Sequence, residues 1–251
     1  SLHDALPIYS ENSLFKQISL CEIPNLIERS QFNKRRKKLF LFSEQIRTKL
    51  AAQFLRFEDY FIIDSMPLEI CKFSRHSRIK ICKDDFETAP SKGFCASQNN
   101  WFFGYKLHGV CSVTGVFHSL DITKAEVHDV HFLKNIKQQM SDCVLLGDRG
   151  YLSESIQLDL FQSVNIKMET PKRMNQLNYK PQPYIFRKSR KRIETLFSQL
   201  CDQFLIRRNY AKTFEGFKTR ILAKITALTL VQYINKFIFD RPINKIKNQL
   251  I

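Results

Sequence analysis

The sequence predicts an α/β protein, a mixed sheet flanked by helices, with helical N-terminal and C-terminal segments. Three observations carry this. Tyr60-Phe61-Ile62-Ile63 and Cys143-Val144-Leu145-Leu146 are short, wholly apolar runs with the length of buried strands. Between them, Trp101–Val113 and Val116–Ile122 flank Thr114-Gly115, the pattern of an antiparallel hairpin. Val127, Val130, Leu133, Ile136 and Met140 then recur at helical spacing before the second run. A helix between two buried strands implies a parallel, right-handed crossover.

The remaining elements follow in chain order. Residues 9–50 alternate apolar and polar positions as a helical region does, with a basic run at Lys34–Lys38 that reads first as a solvated face. The first strand is expected to stop or change character at Asp64, with Pro67 soon after. Residues 72–100 mix charge and polarity without period and read as an irregular connection. After the second buried run, Ser153 is placed to cap a helix over 154–162, and Val164–Met168 reads as a further strand. Residues 170–184 hold Pro171, Pro181 and Pro183 and read as a loop. Ile193, Leu196, Phe197, Leu200 and Phe204 form one helical stripe, and Phe214 to about Phe239 forms another long helix. The implied division is a partial N-terminal helical region over 1–54, a sheet-bearing domain over 55–239 and a tail over 240–251.

Charge then narrows the function classes. The 251 residues carry 40 Lys and Arg against 24 Asp and Glu, a net charge of +16 that favours a polyanionic partner, most simply nucleic acid. The charge is unevenly placed. Residues 1–166 hold 21 basic and 19 acidic side chains, whereas residues 167–251 hold 19 and 5. An acidic working part beside a basic holding part is the simplest reading. The seven cysteines form no Cys-x-x-Cys pair, which argues against a zinc ribbon and a disulfide framework and for a reducing cytoplasm. The longest apolar runs, such as Ile221–Val231, are broken by Lys224 and Thr226, so no membrane span is expected. The opening Ser1-Leu2-His3-Asp4 lacks a basic leader, an apolar leader core and an initiator Met; it reads as a truncated beginning, and residues 1–8 are given no structural weight. With only seven glycines and no phosphate loop, a nucleotide triphosphatase is disfavoured, and no Gly-x-Ser-x-Gly elbow marks a serine hydrolase.

Three acids stand out by position: Asp64 and Asp148 at the ends of the two buried runs, and Glu194 on a helix among Arg187, Lys188, Arg190, Lys191 and Arg192. Strand ends on one side of an open α/β sheet are where working residues gather. Converging carboxylates repel unless a cation sits among them, and oxygen-only ligands suit Mg²⁺ or Mn²⁺. Two such ions, about 3.5–4 Å apart, activate a water and stabilise the leaving oxygen of a phosphodiester. Each acid also has a bland reading. Asp64 suits a cap or turn, Asp148 a Gly-Asp-Arg-Gly turn, and Glu194 an i,i+4 partner of Arg190. His128 and His131, near Glu126 and Asp129, form a rival metal cluster that a surface helix explains more simply.

Ile63-Asp64-Ser65-Met66-Pro67-Leu68, Trp101-Phe102-Phe103-Gly104-Tyr105-Lys106-Leu107-His108, Leu146-Gly147-Asp148-Arg149-Gly150-Tyr151 and Arg190-Lys191-Arg192-Ile193-Glu194, in this order, resemble DDE transposases of bacterial insertion sequences, most closely the insertion-sequence 982 family. The resemblance spans roughly residues 55–235. It implies an RNase H-like fold, with Asp64, Asp148 and Glu194 as catalytic, metal-holding acids for two Mg²⁺ or Mn²⁺ ions. It implies DNA as partner, both element ends and target, and a homodimer in the synaptic complex of a bacterial, nucleoid-associated protein. Related families carry Tyr-x2-Arg-x3-Glu-x6-Lys around the last acid; here Arg190 fits, while Arg187 and Cys201 stand at the Tyr and Lys positions. Arg187, Lys188, Arg190, Lys191, Arg192, Arg207 and Arg208 are the expected DNA contacts. Two rivals stay open: an RNase H-like nuclease that cleaves without joining, and an inactive transposase-derived DNA-binding protein.

Overall fold

The computed structural model describes residue 23, residues 25–172, residue 179 and residues 181–246. Residues 1–22, which include the first part of the helical region expected over 9–50, lie outside them, as do residues 247–251 of the tail.

Two helices come first, α1 (Arg29–Lys38) and α2 (Phe40–Leu55). The basic run falls in α1, which buries no residue completely; Lys34, Arg35 and Lys38 are exposed as a solvated face should be, whereas Arg36 and Lys37 are half-buried. Six strands form one sheet: β1 (Tyr60–Cys71), β2 (Ser91–Cys95), β3 (Asn100–Ser112), β4 (Phe117–Lys124), β5 (Cys143–Leu146) and β6 (Ile166–Glu169). β1 pairs antiparallel with β3, and β3 with β4, giving the expected hairpin, closed by a Gly115 N–H that donates to the Ser112 carbonyl at 3.0 Å. β1, β5 and β6 run parallel, joined through α3 (Phe132–Ile136) and α4 (Glu154–Val164). An antiparallel meander continued by parallel crossovers is the mixed α/β sheet that the apolar runs predicted.

Period-2 alternation divides the sheet into two buried faces. Ile62, Leu107, Cys111 and Leu146 face one way, under α5 (Tyr184–Asp202) and α6 (Phe214–Tyr233), meeting Ile193, Leu196, Phe197, Leu200, Ile221 and Ile225. Phe61, Ile63, Val110 and Leu145 face the other way, against Phe132, Leu133, Ile136, Tyr151 and Leu160.

Several expectations need correction. β1 does not stop at Asp64. It continues to Cys71 because β3 pairs with it from Ser112 through Phe103, and Pro67 lies opposite Lys106 where β1 has lost β5 on its other side. The irregular connection contains β2, whose Ser-Lys-Gly-Phe-Cys has no strand period and is held by its pairing to residues 100–104 of β3. β2 and β4 thus share one edge of β3, with Gly104 where they meet; a Cβ there would collide with the Leu68 carbonyl. The helix expected over 127–140 shrinks to a 3₁₀ turn, Asp129–His131, and the short α3. Ser153 stands at the N-cap of α4 without making the capping hydrogen bond. α5 ends at Asp202, so Phe204 leaves the stripe for the loop beyond. Finally, Phe214–Ile238 is long and apolar enough to cross a membrane by length and composition, contrary to the expectation from its charge breaks. In this fold it buries Phe217, Ile221, Ile225 and Leu228 in the core.

Candidate active site

The site grows from the register of β1 and β5. Ile62 lies opposite Leu146, an offset of 84 residues, and Asp64 and Asp148 are separated by the same 84. Both acids therefore stand at one level, two residues past the last paired position. Asp64 shares the parity of Ile62 and looks toward α5. β5 ends where Asp148 leaves the ladder, which opens the sheet beside Asp64.

Local hydrogen bonds hold both carboxylates. Asp64 Oδ1 accepts from the Ser65 N–H at 2.8 Å, and Asp148 Oδ1 accepts from the Gly150 N–H at 2.8 Å, capping the 3₁₀ turn Arg149–Tyr151. The Gly-Asp-Arg-Gly turn is thus real, and it aims an acid as well as turning the chain. A Cβ on Gly150 would stand 3.0 Å from Asp148 Oδ1 and 3.7 Å from Asp129 Oδ2. Those two carboxylates therefore approach the same small space.

Asp129 is the acid that sequence reasoning missed as part of this site. Its Oδ1 takes a 2.9 Å ion pair from Lys106 Nζ, leaving Oδ2 turned toward Gly150. The signal was a lysine, Lys106, inside an otherwise buried aromatic strand; such a charge needs a partner. Burial lifts the Asp64 carboxyl from its ordinary 3.8 to about 7, against the Ser65 amide; the neighbouring Asp148 and Asp129 push the same way and Arg190 opposes them. Tyr151, wholly buried, leaves its hydroxyl without a partner, and burial with the fields of the three aspartates raises it well above its ordinary value. His108 is buried on β3 with Nε2 2.8 Å from Thr123 Oγ1; burial lowers it to about 4, so it packs as a neutral ring against Phe132.

The predicted basic and third-acid residues separate in space. Arg190 projects to the aspartates and its charge reaches Asp64. Arg187 lines the same side as Arg190, one turn earlier. Arg192 points elsewhere, its stem lying against Gly115 in the β3–β4 turn. Lys188 and Lys191 are exposed on α5, and Arg207 and Arg208 are exposed in the loop after it. Glu194, one turn beyond Arg190, is exposed, and among the described residues its carboxylate is not grouped with the two aspartates. Among the described residues, no three His, Cys, Asp or Glu side chains are already set to hold an ion. The rival cluster dissolves too: His128 Nδ1 accepts from the Val130 N–H as a local cap.

What remains fits a hard cation. Two carboxylates at one level, one with its charged form penalised by burial and by its neighbours, have the chemistry that a divalent ion neutralises. The penalty has a measurable consequence. An acid whose folded value rises from 3.8 to about 7 binds its proton more tightly in the native state, so stability falls as pH rises from about 4 through 7. In chelator, Asp64→Asn, which keeps an acceptor for Ser65, is expected to raise the Tm at pH 8, by a gain on the order of 3 kcal/mol, and to leave it unchanged near pH 4. Calorimetry at the two pH values checks this; equal effects at both would contradict it.

Two solved structures resemble the chain distantly. One is a Mos1 transposase paired-end complex with the left transposon end, at 13% identity and a TM-score of 0.26, covering 91% of this chain and 74% of that one. The other is a Mos1 mariner paired-end complex with Mn, at 14% identity and a TM-score of 0.25, with the same coverage. No curated protein matches the chain. The family model of the transposase DDE domain matches residues 56–230, from just before β1 to the last turns of α6. The chain therefore belongs to the transposase DDE domain family.

Proposed function

We propose that this chain is the DNA transposase of an insertion sequence, of the insertion-sequence 982 kind, cutting element ends and joining them to target DNA. The observation that carries this is the β1–β5 register, which sets Asp64 and Asp148 side by side at the opening of the sheet. Asp64 and Asp148 would hold divalent ions, Mg²⁺ or Mn²⁺, which when bound supply an activated oxygen nucleophile and a stabilised leaving oxygen. Arg190, already projecting to Asp64, lies where it can take a non-bridging phosphate oxygen and orient the scissile bond. Lys106 keeps Asp129 charge-balanced, so that the site does not carry a third unneutralised carboxylate when empty of DNA. Arg187, Lys188, Lys191, Arg207 and Arg208 would hold backbone phosphates further along the strand, and a homodimer would bring two ends together.

Glu194 takes the third acidic position in this reading, by its place one turn beyond Arg190 on α5. It is exposed in the free protein, so Glu194→Gln is expected to keep the Tm while lowering strand transfer at least about 100-fold. The assay uses Mg²⁺ and duplexes carrying the sequences that flank the coding region, and scores joined strands as well as cut ones. Full activity in Glu194→Gln would move the third role to Asp129. Cutting without joined products in the wild type would favour the simple nuclease.

A further inference from the structure

At the end of β1 and β3 away from the aspartates, four aromatic rings form one connected surface. Trp101 on β3 meets its cross-strand neighbour Phe94 on β2, with ring centroids 5.4 Å apart, and also Phe73 at 6.5 Å. Phe73 opens a 3₁₀ turn (Phe73–Arg75) after β1 and stacks on His76 at 5.0 Å, and His76 Nδ1 donates to the Phe73 carbonyl. Trp101 is 57% exposed and Phe94 45%, so these rings do not complete a core. Eight residues of β3 separate Trp101 from Gly109, the partner of Asp64, which at the rise of a strand is about 25 Å. No side chain of this surface reaches a phosphate held at the aspartates.

The surroundings of the rings are cationic. Residues 72–83, which leave β1 through the Phe73 turn, hold five Lys and Arg and no acid. Lys72, Arg75 and Lys83 are exposed, and Lys83 Nζ lies 5.7 Å from the ring centroid of Phe103, two residues beyond Trp101 on β3. Lys92 stands two residues before Phe94 on β2 and on the same face. None of these four cations forms an ion pair among the described residues. Of the acids flanking the segment, Glu69 and Asp84 are exposed, while Asp85 accepts from the Glu87 N–H and Thr88 Oγ1 of its own loop.

Rings and cations select different parts of one ligand. Cations take the phosphates of any nucleic acid, whereas exposed ring faces need flat apolar partners. In a duplex the base faces cover one another; in a single strand they are free. We propose that this is a second DNA surface, which holds an unpaired strand. Its bases stack on Trp101, Phe94 and Phe73, and its phosphates lie against Lys72, Arg75, Lys83 and Lys92. The surface needs neither the aspartates nor a divalent ion, so it goes beyond the DNA-joining reading and stands or falls separately.

Trp101 is the one tryptophan of the chain, so its fluorescence reports this surface alone. The full chain is titrated in EDTA with a thymidylate strand about fifteen nucleotides long, an abasic strand of the same charge, and a duplex. The thymidylate strand is expected to quench Trp101 saturably and to bind about tenfold more tightly than the abasic strand. The abasic strand and the duplex leave the fluorescence unchanged. Phe94→Leu, which keeps the reporter, weakens the thymidylate strand about fivefold and leaves abasic binding and the Tm as they were. Lys72→Ala combined with Arg75→Ala weakens both strands and lowers the salt slope by about 1.4. No binding, binding by anisotropy of a labelled strand without quenching, or unchanged affinity in Phe94→Leu would overturn the proposal. So would a blue shift of Trp101 on phosphatidylglycerol vesicles with no response to the thymidylate strand, which would assign the surface to a membrane. Strand transfer is tested separately by Glu194→Gln, so failure here leaves the DNA-joining reading standing.

Discussion

Asp148→Asn is expected to abolish strand cleavage and joining, lowering the rate at least about 1,000-fold, with the fold intact. Asparagine keeps Oδ1 as acceptor for the Gly150 N–H, so the 3₁₀ turn Arg149–Tyr151 still forms and Tyr151 stays buried. What changes is charge. The space near Gly150, approached by Asp148 Oδ1 and Asp129 Oδ2, loses one carboxylate, and Asp64 loses one of the two carboxylates that oppose its ionisation. The Asp64 carboxyl should then titrate below about 7. The activity loss is read from product gels at saturating Mg²⁺; the titration change is read by infrared or NMR detection of the carboxyl. A variant that still joins strands would remove Asp148 from the chemistry.

The largest effect on stability is expected at Arg47, far from the aspartates. Arg47 is 1% exposed on α2 and spends its guanidinium on three partners. Nε and Nη2 donate to the Glu44 carboxylate, Nη1 to the Phe117 carbonyl at 2.9 Å, and Nη2 to the His118 carbonyl at 3.0 Å. The two carbonyls begin β4, so one side chain joins the N-terminal helices to the sheet. Arg47→Met fills much of the volume but leaves Glu44 half-buried without its counter-charge and two carbonyls without donors. A loss of about 3 kcal/mol follows, which lowers the Tm by roughly 6–12 °C for a chain of this size. Adding Glu44→Leu should recover part of it, because much of the cost is the stranded carboxylate. A single-variant loss below about 1 kcal/mol, measured in urea, would contradict this account of how α2 is attached.

Much of the architecture was legible because it rests on local pattern. The runs Tyr60–Ile63 and Cys143–Leu146 could be nothing but buried strands, and the Ile193, Leu196, Phe197 and Leu200 stripe could only face a core. Asp64 and Asp148 were legible for the same reason, as charges following apolar runs. The extension of β1 past Asp64 was not, because it comes from pairing with β3 about 40 residues away, and a strand's end is set by its partner as much as by its own residues. β2 was hidden likewise. The basic run on α5 reads as one patch in sequence, yet a helix turns by about 100° per residue, which sends Arg190 to the aspartates and Arg192 to Gly115. Asp129 and Lys106, 23 residues apart, carry no periodic signal at all.

The central claim is that Asp64 and Asp148 form a cation-holding pair that works on DNA phosphates, and it is tested most directly by titrating the purified chain with Mn²⁺ at pH 8 while following its Tm. The account predicts a saturable rise in Tm for the wild type and none for Asp148→Asn, because ligand bound only to the native state stabilises it by mass action. A rise of the same size in both proteins, or none in the wild type, would contradict it.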